Sequence, residues 1–79
     1  MNTKELTHAD IVLVRTFYLD GKMDGGYAKL KNCRIYQFTR NATLPPAITE
    51  FMQTCEVKRC LYDSDWHDTR HTEYVYYNR

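Results

Sequence analysis

The chain has 79 residues, 43% of them hydrophobic and 27% charged, with a formal net charge of +1 at pH 7. That composition describes one small domain, residues 1–79, too apolar to be disordered and without the global positive field that gathers nucleic acid. No apolar run approaches the roughly 18 residues that cross a membrane. The opening "MNTKELTHAD" carries no signal-type apolar stretch, so the expected location is cytoplasmic, with the three cysteines reduced.

The first element, "THADIVLVRTFYLDG", supports two readings. As a helix, Thr7 is the N-cap of a capping box with Asp10, Leu6 and Ile11 form a staple, and Gly21 ends it. As a strand, "IVLVRTFYL" is β-branched and aromatic and apolar on both faces, as a central strand is. The next two segments favour the strand. "DGKMDGG" is turn chemistry, and "YAKLKNCRIYQFTR" alternates with a slip at "KNC" that calls for a bulge or short turn near Asn32.

"NATLPP" interrupts the alternation. Over Pro45 to Glu56 a helix is expected, with Ile48, Phe51, Met52 and Cys55 as its apolar stripe and Pro45 and Pro46 in its first turn. "VKRCLYD" and "TEYVYYN" then read as two strands joined by the polar loop "SDWHDTRH". The expected fold is α+β: one helix packed on a mainly antiparallel sheet of four or five strands.

A second architecture comes from a resemblance. "LTHADIVLVRTFYLDG" carries the pattern L-T-x-x-D-I-x-x-V-R-x-x-Y-x-x-G and resembles the first helix of some helix-turn-helix DNA-binding proteins. The resemblance implies two following helices, with Ala28, Asn32, Cys33 and Phe38 near their expected positions, and a C-terminal β-hairpin wing. Gly25 and Gly26 oppose it, because each costs a helix about 1 kcal/mol relative to alanine.

"CEVKRCLYDSDWHDTRH" has the form C-x4-C-x6-H-x3-H, a candidate zinc set of Cys55, Cys60, His67 and His71. The loop from Cys60 to His67 is about half the usual twelve or so residues. The simpler reading makes Cys55 and Cys60 small buried hydrophobes and the two histidines solvated. Cys33 reads likewise as a core thiol. No metal, no cofactor and no catalytic constellation is expected: Asp63, Asp65 and Asp68 crowd the histidines without a known spacing, and Gly25-Gly26 lacks a phosphate-loop pattern.

Seven tyrosines and Trp66 exceed what so thin a core can hide. The expected function is therefore a small non-enzymatic protein-binding module, an inhibitor or regulator of the kind phages and mobile elements use, which occupies a partner's surface. Its expected contact residues are Trp66, Arg70, Tyr74, Tyr76 and Tyr77, with Asp63, Asp65 and Asp68 steering towards a basic partner such as a nucleic-acid-binding host protein. A second copy of the chain is a further candidate partner. The alternative is a nucleic-acid binder using Tyr27, Lys29, Lys31, Arg34, Tyr36, Phe38 and Arg40, where cations and aromatics interleave without an acid. That alternative needs a well-segregated basic face.

Overall fold

Ile11–Leu19 form β1, the central strand of a five-stranded antiparallel sheet ordered β3-β2-β1-β5-β4. The computed structural model describes residues 6–79. The other strands are β2 (Lys22–Leu30), β3 (Ile35–Thr39), β4 (Val57–Trp66) and β5 (Thr69–Tyr77), and the one α-helix among the described residues, α1, is Pro46–Thr54. The α+β expectation therefore holds, with five strands. The helix-turn-helix alternative does not. β-Branched Ile11, Val12, Val14 and Thr16 stiffen a pleated backbone more readily than a helical one, and the strand they form is flanked on both sides.

The capping box survives in a smaller role. A single 3-10 turn, His8–Asp10, leads into β1. Asp10 Oδ2 accepts from the Thr7 backbone N–H at 3.1 Å and from its hydroxyl at 2.9 Å. These bonds, the backbone one first, hold the Asp10 carboxyl below its ordinary value.

Turn chemistry fixes the N-terminal hairpin. Asp20 and Gly21, at φ 51° and 79°, make the tight connection between β1 and β2. The second Asp-Gly pair is no turn: Asp24 is the extra residue of a bulge opposite Phe17 and Tyr18. The slip near Asn32 is a turn. Asn32 Oδ1 accepts from the Arg34 N–H at 3.0 Å, and Cys33 takes a φ of 67°. Cys33 is thus exposed in the β2–β3 connection, and the expected core thiol is not found.

The helix is shorter at both ends than expected but buries the predicted stripe. Ile48 and Phe51 are almost wholly inaccessible, Ala47 joins them, and Met52 and Cys55 pack at the margin. They cover one face of the sheet, meeting Val14, Ala28, Phe38 and Tyr76. The expected polar loop "SDWHDTRH" is mostly strand. Only His67 and Asp68 turn, both at positive φ (46° and 67°), so β4 and β5 run to the tip of a long hairpin.

Candidate functional site

The helix covers one side of the sheet; among the described residues, no helix lies over the other side. Strand registers place residues on that open face in rows, because directly paired residues share a face. The first row is Ile35–Lys29–Leu13–Tyr77–Val57 and the second Gln37–Tyr27–Arg15–Val75–Arg59. The third is Thr39–Gly25–Phe17–Glu73–Tyr62, the fourth Lys22–Leu19–His71–Ser64, and Trp66 with Thr69 closes the hairpin end. None of its large side chains is fully buried. Ile35, Tyr62 and Trp66 are 57%, 53% and 65% exposed.

Arg15 occupies the middle. Its Nη2 donates to Glu73 Oε2 at 3.0 Å and its Nη1 to the Tyr27 hydroxyl at 3.3 Å. The guanidinium carbon lies 5.9 Å from the centre of the Phe17 ring. The Tyr27 hydroxyl and the Glu73 carboxylate together raise the Arg15 pKa above its ordinary value. Its Nε is buried with no hydrogen-bond partner. Around this pair the face carries Lys22, Lys29 and Arg59 and no further carboxylate among the residues placed by register.

The helix side is different beyond the end of α1. Tyr18, Asp20, Gly21, Lys58, Arg70, Thr72 and Tyr74 line an open groove of about 560 Å³. Tyr18 meets Tyr74 edge-on at 5.6 Å, and Lys58 Nζ sits 4.5 Å from the Tyr74 ring centre. Arg70 donates from Nε and Nη2 to the two oxygens of Asp63, at 3.2 and 3.0 Å. That guanidinium holds the Asp63 carboxyl below its ordinary value. Arg70 N–H also donates to Asp20 Oδ1, and Asp20 N–H to the Arg70 carbonyl, both at 2.8 Å, locking the two hairpins together.

The expected protein contacts therefore separate. Trp66 and Tyr77 lie on the open face. Asp63, Asp65, Arg70 and Tyr74 lie on the helix side, and Asp68 is in the turn. Tyr76 is 6% exposed and belongs to the core, so it is not a surface anchor. The nucleic-acid set separates too. Tyr27 and Lys29 are on the open face, but Tyr36 packs at the core margin and Phe38 is buried within it. Lys31 and Arg34 sit in the β2–β3 turn, and Arg40 borders a second depression, of about 430 Å³, with Lys22.

Cys60 is exposed, against expectation: it lies on the edge strand β4, and the register shift after it puts Tyr62 on the opposite face rather than beside it. Cys55, Cys60, His67 and His71 do not converge. Cys55 caps the helix and His67 is at the far end of β4. No cluster of three or more His, Cys, Asp or Glu side chains able to hold a metal occurs among the described residues.

No family model matches the chain, and no curated protein and no solved structure matches it either. The functional reading rests on the geometry alone. Sequence reasoning missed Arg15, Phe17, Tyr62 and Glu73. The alternation of Leu13, Arg15, Phe17 and Leu19 marks one face of β1. What was missing is the knowledge that residues nearly sixty positions away stand beside them.

Proposed function

We propose that this is a small non-enzymatic binding module that docks the open face of its sheet onto a partner protein and acts by occupying that partner's surface. One observation carries the reading: α1 lies over one face of the sheet, and the other presents half-exposed aliphatic and aromatic side chains around an Arg–Glu pair. Sheets exposed on one side usually alternate polar residues outwards. Here Leu13, Phe17, Leu19, Val57, Val75 and Tyr77 point outwards instead. Aromatics and arginine are the residues that protein interfaces concentrate.

A second reading is favoured by charge. Four cations and one carboxylate share this face with Tyr27, Phe17 and Tyr62, the segregation a nucleic-acid platform needs.

Affinity capture with and without nuclease, using the parent chain and Tyr62→Glu, tests both. Protein docking predicts nuclease-resistant capture that Tyr62→Glu abolishes. Capture that nuclease removes supports the second reading. A partner indifferent to Tyr62→Glu and to Phe17→Ser rules out this face.

A further inference from the structure

We propose that the surface received by the open face belongs to a protein and is apolar at its centre and rimmed with carboxylates; this rests on the docking reading above. The cations around the centre are uncommitted. Among the described residues the ion pairs are His8–Glu50, Arg15–Glu73 and Arg70–Asp63, so Lys22, Lys29 and Arg59 have no carboxylate within 4.0 Å. They stand at the margins of the apolar field: Lys29 in the first row, Arg59 at the β4 edge, Lys22 at the turn end. Among the described residues placed on the face by register, the one carboxylate is Glu73, and it is already bonded by Arg15. Asp63 and Asp65 lie on the other side of β4, where Asp63 is held by Arg70 and Thr72. The acidic hairpin therefore does not steer this face; the cations do, and they select an acidic surface.

Two other occupants fit less well. A second copy would set Lys22, Lys29 and Arg59 against their own images, and like charges juxtaposed at an interface are costly. A nucleic-acid strand would share the charge logic. It would leave Leu13, Val57, Val75 and Leu19 without anything to stack on, and it would bring phosphates over Glu73. The size is also that of a small protein interface. Five strands about 4.8 Å apart, over some seven residues at 3.3 Å each, give a projected area of about 550 Å², below the roughly 800 Å² that each side of a standard interface contributes.

The test is selection of displayed random peptides on the intact protein, with the winners synthesised and their affinities measured beside those of a dT20 oligonucleotide. Selected peptides should combine aromatic or aliphatic residues with Asp and Glu. Tyr62→Ala should weaken them by roughly 30-fold or more if it is a hot spot. The double reversal Lys29→Glu/Arg59→Glu should slow association and remove its salt dependence. All these positions are exposed, and circular dichroism of each variant checks that the fold persists. Neutral or basic winners overturn the acidic partner, as does full affinity in the double reversal, while loss on Tyr62→Ala still leaves the docking reading standing. Winners indifferent to Tyr62→Ala but lost on Lys58→Glu would place binding in the groove instead and overturn both. Tighter binding of dT20 than of any peptide, or a dimer that the reversal alone dissolves, replaces the proposed occupant.

Discussion

Arg15 Nη2 lies 3.0 Å from Glu73 Oε2, across two neighbouring strands at the centre of the sheet face opposite α1. Both side chains keep about a third of their surface in water (35% and 27%), so solvent screens the pair and its net contribution to stability is small, about 1 kcal/mol or less. Replacing both ends by apolar residues, Arg15→Met with Glu73→Leu, should leave the melting temperature near the parent's. Glu73→Leu alone should cost more, because Arg15, whose Nε already lacks a partner, would keep only Tyr27. A double-mutant cycle by chemical denaturation checks this. A double variant clearly less stable than either single one would show that the pair is structural.

The two faces should respond differently to truncation. Phe51 is 2% exposed under the helix, and Phe51→Ala should cost about 3–5 kcal/mol, enough to unfold much of so small a domain. Tyr62 is 53% exposed, and Tyr62→Ala should cost about 0.5 kcal/mol or less. Urea melts of the two variants make the comparison directly.

Acid and alkali should attack at different places. The carboxyls of Asp10 and Asp63 are held below the ordinary value of 3.8, by Thr7 and by Arg70. Their contribution is complete above that value and is lost as pH falls through their lowered folded values. Asp63→Asn should therefore flatten the acid limb of a stability–pH curve while leaving the region near neutrality similar in shape. Tyr76 behaves oppositely. Burial, aided by the neighbouring Tyr18 hydroxyl, pushes its phenol up to about 12 from 10.0. Its contribution is complete below 10.0 and disappears as pH rises through about 12. Ultraviolet titration should show one phenol ionising late, absent in Tyr76→Phe.

The hairpin tip carries backbone strain that sequence can relieve. His67 and Asp68 both sit at positive φ, where side chains with a Cβ are disfavoured, and neither is glycine. Asp68→Gly should raise stability by about 0.5–1 kcal/mol, since Asp-Gly already serves the same purpose at Asp20 and Gly21. A lowered melting temperature would mean that the Asp68 side chain has a role beyond the turn.

Much of the fold is legible in the sequence because its signals are local. Asp20-Gly21 carries its own turn, the Ile48–Phe51–Met52 spacing its own helix, and the β-branched run of β1 its own strand. Cys33 misleads because the slip at "KNC" is a full turn that leaves Cys33 at positive φ, off both strands. Cys60 misleads because it lies on the edge strand, with the register shift after it turning Tyr62 to the other face. The hairpin segment reads as a polar loop because β4 and β5 project beyond the helix, where both faces meet water and polarity no longer marks a loop. The site itself is hidden for another reason. Arg15 and Glu73 are separated by most of the chain, and only the strand order makes them neighbours.

That strand order also has a kinetic side. β5 follows β4 in the chain but lies inside it, wedged between β4 and β1. The hairpin of β1 and β2 can close early, since its turn is two residues long, whereas β1 meets β5 only after a loop of about fifty residues has been brought round, an event whose entropy cost slows folding. Until then β1 has one bare edge, and the helix has no Tyr76 to complete the layer beneath it. An intermediate lacking β5 would therefore offer a long apolar strand for pairing with any other chain. Conditions that delay insertion of this one strand should govern whether the protein is recovered folded or as aggregate.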